Sequence, residues 1–579
     1  MAAAGERSEA RREATARRLQ RFEALRGEAE LGKGGRGRAY RQQLAQKLRR
    51  KELPLGTRYH ICTDPPGPKI GNGGSTLHVL QCLEELYGDK WTSFTVLLIH
   101  SGGSSQRLPS ASALGKIFAA VPLGDPVYQM LELKLAMYID FPRQMAPGVV
   151  VSCSDDIELY STGVTEPLRF DLPGFTALAH PSELLLGTTH GVFVLDPSCL
   201  SGRAGLLPVP CQRFLHKPDL GRMRRCGAVL PSPAGPRSSA DGGHPGAGSE
   251  CVYTDSVFYI HHGTAKQLLA FYKQLGPLCC EVDAYGDFLQ ALGPEATPDY
   301  TTDTANVTKV ESQLVEVRQK LYSLLKGTPL NVLVLDNSKF YHVGTTREYL
   351  SHFASGSKLK YELGLLPVAF SICSGTLDPS VSVMQSVLEP GCVVGPGSVI
   401  EYSRIGPEVS VGRSSIVSGS HIEGKVDLPP SCLLSSLSVR VNSQLRYVSM
   451  VFSVEDDLKR KVEALADIHS LQFFGVSLLE CLDLWGVKVS QQLFSGDGTG
   501  LGLWAARIFP VCSTLSESVR MALKMLSSVQ HRSTFGLGGC ELLSVEEMLS
   551  CKDAEDMLEF RKQLYDEIHL RRKKEKQGE

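Results

Sequence analysis

Between Val381 and Val417 an aliphatic residue returns at every sixth position: Val381, Val387, Val393, Val399, Ile405, Val411 and Val417. Gly391, Gly395, Pro396-Gly397, Gly406 and Gly412 fall in the intervals. A helix repeats at about 3.6 residues and a half-buried strand at about 2, so neither fits this spacing. A solenoid does: each short strand is one side of a triangular coil, and stacked coils share a continuous aliphatic interior. The pattern predicts a left-handed parallel β-helix over residues 375–440, with Glu423-Gly424 and Pro429-Pro430 breaking the register at its far end.

The rest of the chain is organised differently. At 579 residues it exceeds what one ordinary core fills, so two to four domains are expected. Residues 1–52 read as a charged helical segment. Residues 53–355 alternate candidate strands (Thr95–Ile99, Gly148–Ser152, Gly191–Leu195, Val252–Ile260) with candidate helices (Thr76–Tyr87, Tyr128–Met137, Ala265–Leu275). That alternation predicts an α/β domain on a doubly wound, mostly parallel sheet. Residues 229–250, dominated by Pro, Gly, Ser and Ala, read as a mobile insertion. Residues 441–579 read as a mixed α/β region ending in a basic run.

Composition removes several classes. Lys and Arg total 61 against 62 Asp and Glu, so there is no bulk attraction to nucleic acid or to an anionic membrane. No apolar run is long enough to span a bilayer, and the N-terminus lacks a signal-peptide core. The sixteen cysteines form no Cys-x-x-Cys pair, which fits reduced thiols in a cytoplasmic protein.

The chemistry is concentrated after the strand at Thr95–Ile99. Residues His100-Ser101-Gly102-Gly103-Ser104-Ser105-Gln106-Arg107-Leu108-Pro109, with Gly115-Lys116 following, form a glycine-rich loop, one arginine and one lysine. Gly102, Gly103 and Ser104 let backbone N–H groups approach phosphate oxygens, and Arg107 and Lys116 place fixed positive charge beside a triphosphate. Asn72-Gly73-Gly74 makes a second tight loop before a helix, whose N-terminus could face a base or a phosphate. Asp155-Asp156 ends a strand, and Glu281, Asp283 and Asp287 form a second acidic cluster. Either cluster equally suits a helix start.

These motifs together resemble the sugar-1-phosphate nucleotidyltransferases, many of which join a doubly wound nucleotide-binding domain to a left-handed β-helix. Leu215-His216-Lys217-Pro218 is similar to that family's Glu-Lys-Pro segment. Val343-Gly344-Thr345-Thr346-Arg347-Glu348-Tyr349-Leu350 is similar to the stretch closing its catalytic domain. The segments Ile70–Thr76, Gly187–Val192 and Cys280–Leu289 resemble the fucose-1-phosphate guanylyltransferase branch. The one departure lies between Gly27 and Tyr40, where a short Gly- and Arg-rich bridge replaces an expected apolar strand.

The resemblance implies transfer of GMP from GTP to L-fucose 1-phosphate, releasing pyrophosphate, with Mg²⁺ as cofactor. The nucleophile is already an anion, so cations and positioning matter more than a base. On this reading Arg107 grips two phosphate oxygens of the triphosphate, Lys116 neutralises the departing phosphates and Lys217 holds the sugar phosphate. His190 and Gly191 form part of the base or ribose wall, and Asp255 meets sugar hydroxyls. Asp156, with Asp155 beside it, and Asp283, with Asp287 in reserve, hold the metal. Self-association through the β-helix stays open. So do a non-enzymatic scaffold of the same layout and a transferase for another sugar 1-phosphate.

Overall fold

The computed structural model describes residues 2–32, 37–102, 105–162, 167–200, 206–232, 250–305, 307, 310–354, 356–496 and 500–577. Most of the expected insertion, residues 233–249, lies outside the described residues. The chain divides into two compact units. One comprises Met1–Arg38, Lys47–Ser101 and Lys134–Tyr341; the other comprises Ala39–Gln46, Gly102–Leu133 and His342–Glu579.

The first unit is built on a nine-stranded sheet. Its strands in chain order are β1 (Thr95–His100), β2 (Gly148–Cys153), β3 (Phe175–Ser182), β4 (Gly191–Leu195), β5 (Val209–His216), β6 (Leu230–Pro231), β7 (Glu250–Thr254), β8 (Phe258–His261) and β9 (Leu330–Val334). Their spatial order is β6-β7-β4-β5-β9-β3-β8-β2-β1. Only β1–β2 and β3–β9 run parallel; the other pairings are antiparallel. The expected mostly parallel sheet is therefore corrected to a mixed one. The segment expected as one strand, Val252–Ile260, is two: the backbone leaves the ladder at Asp255, whose N–H donates to the Gly191 carbonyl at 3.0 Å. That break lets β7 pair with β3 and β4 while β8 pairs with β2 and β3.

Helices Gly71–Tyr87, His262–Leu275 and Leu314–Leu325 bury one apolar face each in this unit's core. Leu77, Leu80, Leu268, Leu321 and Leu325 share that core with Val149, Val151, Phe193, Ile260 and Val332 from the sheet. Each such side chain contributes roughly 1.5–3 kcal/mol by leaving water. The segment after Gly27 holds a two-residue strand, Glu30–Leu31, paired parallel to Arg58–Tyr59 outside the large sheet.

In the second unit the six-residue pattern resolves into three ladders of short parallel strands. One passes through Val383, Ile400, Val417 and Leu434; a second through Leu388, Ile405 and Ile422; a third through Val394, Val411 and Leu428. Equivalent positions are 17 residues apart, as the Ser420 N–H to Ser403 Oγ bond shows. The register is thus one residue per coil shorter than three sixes, and Val393 is exposed while Val394 turns inward. Buried serines tie the corners: Ser386 Oγ accepts from Ser403 N at 3.0 Å, and Ser403 Oγ from Ser420 N at 3.1 Å. A hairpin, Cys432–Val441 with Gln444–Ser453, follows; Asn442 and Ser443 both have positive φ, as a two-residue hairpin turn requires. Helix Leu515–His531 packs on it, with Ser518 Oγ 2.7 Å from Ser449 Oγ. Among the described residues no helix is long and apolar enough to cross a membrane.

Candidate active site

The first unit gathers chemistry at one edge of its sheet. Gly191 opens β4 opposite His216, which ends β5. Lys217 follows in a left-handed conformation, φ +46°, and its N–H donates to the His190 carbonyl at 3.1 Å. The Lys217 side chain is exposed. Asp255 leaves β7 beside them, and its Oδ1 accepts the Gly191 N–H at 2.9 Å. A Cβ on Gly191 would lie 2.0 Å from Phe214 Cζ and 2.5 Å from Asp255 Oδ2, so only glycine admits the carboxyl there. Burial pushes Asp255 up to about 7; the Gly191 N–H and Lys217 oppose the rise and Asp283 adds to it.

Asp283 caps the turn Ala284–Phe288: its Oδ1 accepts from Tyr285 N at 2.8 Å and Gly286 N at 3.0 Å. Its charge is felt by Asp255, His216 and His100, which puts these residues in one neighbourhood. Burial lowers His100 to about 4 and also lowers His216, so both imidazoles are neutral at pH 7. His100 Nε2 lies 3.0 Å from Thr76 Oγ1. His190 is half-buried, with Nδ1 2.9 Å from Thr189 Oγ1 and its ring edge-on to Phe340.

Other expected site residues are committed elsewhere. Asp156 is buried and pairs with the ammonium of Lys134. Lys134, 1% exposed, also donates to Tyr138 Oη at 3.0 Å, Ser152 Oγ at 3.1 Å and Glu158 Oε1 at 3.3 Å. Asp287 pairs with buried Arg318 at 2.9 Å and accepts the Asp283 N–H at 2.7 Å. Asp155 is half-buried in the turn between β2 and the strand Asp156–Tyr160. Gly73 and Gly74 lie in the first turn of helix Gly71–Tyr87 rather than in a loop before it. Gly73 N donates to Val282 O at 2.8 Å, so that N–H is already spent. A Cβ at Gly74 would meet Leu278 Cδ2 at 2.7 Å: here glycine serves close packing.

Magnesium needs hard oxygen ligands and is commonly held by one or two carboxylates with substrate phosphates completing the shell. Asp156 and Asp287 do not fit, because buried cations already neutralise them. Asp283 fits: it is a carboxylate whose charge reaches Asp255, His216 and His100. Among the described residues no three His, Cys, Asp or Glu side chains form a metal-holding group on their own.

Arg107 and Lys116 belong to the second unit. Arg107 is exposed, and its carbonyl accepts from Thr346 N at 2.7 Å and Thr346 Oγ1 at 3.0 Å. The segment Val343–Leu350 thus anchors the backbone that presents the guanidinium. Lys116, half-buried, opens a short turn after Gly115, where φ is +97° and a Cβ would strike Tyr40 Oη at 2.2 Å. Gly102 is exposed; Gly103 and Ser104 lie outside the described residues.

Sequence reasoning passed over His100, His216 and Lys134. The two histidines stand inside the motifs already quoted. Lys134 carried a subtler signal: helix Met130–Met137 reads Met-Leu-Glu-Leu-Lys-Leu-Ala-Met, apolar on every side, so its lysine must be buried and must find an anion.

Residues 88–514 match the family described as the fucose pyrophosphorylase domain. The chain is 57% identical to human fucose-1-phosphate guanylyltransferase across 97% of its own length and 95% of the human protein. Identity to the mouse protein of the same name is 55%, over 96% of this chain and 97% of that one. The L-fucokinase/L-fucose-1-P guanylyltransferase of Bacteroides fragilis is 24% identical over 65% of this chain, a stretch covering 35% of the bacterial protein.

Proposed function

The chain belongs to the fucose pyrophosphorylase family and is a nucleotidyltransferase; from that premise we propose how its residues transfer GMP from GTP to L-fucose 1-phosphate. The observation that carries the activity is 57% identity sustained over nearly the whole chain. A phosphate oxygen of the sugar phosphate attacks the α-phosphorus of GTP. The bond from that phosphorus to the bridging oxygen breaks, and pyrophosphate leaves with the negative charge. No proton need be removed from the nucleophile, so the protein's task is alignment and charge neutralisation.

In this reading Lys217 binds the phosphate of the sugar. Its strained backbone is fixed by the His190 carbonyl, and its exposed side chain, whose charge reaches Asp255, supports that role. Asp255, protonated about half the time near pH 7, can donate to or accept from a sugar hydroxyl. Gly191 and His190 shape the wall beside it. In the second unit Arg107 binds the α-phosphate bidentately and Lys116 neutralises the departing phosphates. Asp283 would hold magnesium, which when bound supplies positive charge to the triphosphate, with Asp155 the other candidate at that strand end. The three ladders of the second unit are read as coils of a left-handed β-helix. A cytoplasmic setting is supported by sixteen cysteines that all stand unpaired in the structure.

The test is pyrophosphate release from GTP and L-fucose 1-phosphate with Mg²⁺. Arg107→Ala should lower turnover about 10²–10³-fold, the cost of losing one transition-state donor. Lys217→Ala should act mainly on the KM for the sugar phosphate. No release by the unaltered protein at millimolar substrates overturns the assignment.

A further inference from the structure

Helix Gly71–Tyr87 carries Ser75, His78 and Cys82 on one stripe, at i, i+3 and i+7. The chain that precedes the helix runs back along this stripe in the opposite direction, pinned at two points. His60 Nε2 lies 2.6 Å from Tyr87 Oη, with the rings edge to face at 5.6 Å. Asp64 Oδ1 accepts from Ser75 Oγ at 2.6 Å. An extended chain advances about 3.3 Å per residue and a helix about 1.5 Å, so the residue midway between these pins lies beside the middle of the helix. That residue is Cys62; it shares the side of the extended segment that carries His60 and Asp64, so it faces the helix near Cys82. On the helix, Cys82 Sγ is 3.6 Å from His78 Nε2. Both cysteines are half-buried and reduced.

We propose that Cys62 and Cys82 form a dithiol modification site for hydroperoxides, with Cys82 the attacking thiolate, His78 its cationic partner and Cys62 the resolving thiol. The surroundings favour that division of labour. The neighbouring Cys62, then His78, hold Cys82 down to about 5, against burial and the charge of Glu85. Cys82 and burial in turn push Cys62 up. His78 is raised by Cys82 first, with Asp64 and Glu85 adding to the rise against burial. Tyr272 completes the surroundings, its ring edge-on to His78 at 6.4 Å. Reactive cysteines elsewhere owe their thiolate to this kind of cationic, partly exposed setting.

The chemistry balances with one hydroperoxide as oxidant. The Cys82 thiolate attacks a peroxide oxygen, the O–O bond breaks, and the leaving hydroxide takes a proton and departs as water. Cys82 is then a sulfenic acid. The Cys62 sulfur attacks the Cys82 sulfur and gives up its proton to the departing hydroxyl. The S–O bond breaks, a second water leaves and the disulfide forms. Two thiols have lost two electrons and two protons, and hydrogen peroxide has become two waters. The product ties the segment at Cys62 covalently to the helix it already lies along.

The experiment treats the full chain with equimolar hydrogen peroxide at pH 7, alkylates it under denaturing conditions, and maps peptides by mass spectrometry. The expected first product is a Cys62–Cys82 linked peptide, lost on adding dithiothreitol, formed before the exposed Cys199 and Cys279 are oxidised. In Cys62→Ser the reaction should halt at the sulfenic acid, captured on Cys82 by dimedone. His78→Gln should slow the oxidation at least tenfold. Recovery of Cys62 and Cys82 as separately alkylated thiols, at peroxide doses that oxidise Cys199 and Cys279, overturns the proposal. The wild-type peptide map decides this even if a variant folds poorly.

Discussion

Replacing Asp255 with asparagine isolates the electrostatics of the sheet edge. The carboxyl is buried and accepts one backbone N–H, from Gly191 at 2.9 Å. Burial lifts it from an ordinary 3.8 to about 7 in the folded chain. Between those two values the folded protein keeps a proton that the unfolded chain has released. Stability is therefore fully present below the unfolded value, falls as pH rises through the window, and levels off above about 7. The slope is about 1.4 kcal/mol per pH unit, about 4 kcal/mol over the whole window and about 3 kcal/mol between pH 5 and pH 8. The substituted amide keeps an acceptor for the Gly191 N–H and does not titrate. The fixed cost of an amide in place of a carboxyl cancels when the two proteins are compared across pH. Urea unfolding at pH 5, 6, 7 and 8, read by hydrogen-exchange mass spectrometry on peptides covering 191–195 and 250–256, reports this unit by itself. Relative to wild type, Asp255→Asn should gain about 3 kcal/mol between pH 5 and pH 8. A stability difference constant to within about 0.5 kcal/mol over that range would show that Asp255 is already solvated or ionised, and the argument from burial would fail.

Lys134→Met should cost about 3–5 kcal/mol in thermal or urea unfolding, because it leaves Asp156 and Glu158 buried together without their cation. Gly191→Ala should destabilise the first unit by about 1–3 kcal/mol, since its Cβ has Phe214 and Asp255 inside contact distance. It should also lower pyrophosphate release more than that loss of stability explains. Ser403→Ala should cost about 1–3 kcal/mol by leaving the buried Ser420 N–H without its acceptor, seen as a lowered unfolding temperature of the second unit.

How far the sequence could be read depends on the range of the interaction involved. The six-residue spacing located the stacked strands because a 17-residue repeat drifts by only one position each time, and strands two or three residues long tolerate that drift. It failed at Val393, where the drift carries the side chain outward. Strand β4 was legible residue for residue, because its four apolar residues follow Gly191 and precede an Asp-Pro stop. Sheet direction was not, because alternating strands and helices look the same whether a strand returns parallel or antiparallel. Only the bond from Asp255 to Gly191, 64 residues away, shows where one apparent strand becomes two. The acidic pairs were visible as clusters, but their partners were not: Lys134 precedes Asp156 by 22 residues, and Arg318 follows Asp287 by a longer interval still.

The anchoring of the signature stretch limits how this chain can be dissected. Arg107 hangs its carbonyl on Thr346, the Tyr349 hydroxyl lies 3.4 Å from the Ala120 carbonyl, and Pro122 holds the N–H of Leu366 at 2.8 Å. Tyr349 in turn donates to Glu401 within the stacked strands. A fragment ending near residue 341 would keep the large sheet yet strip residues 102–133 of the supports that shape them. The strands at the carboxyl side are therefore no detachable appendage: the glycine-rich stretch is grafted onto them, and the two must be inherited, expressed and engineered as one piece.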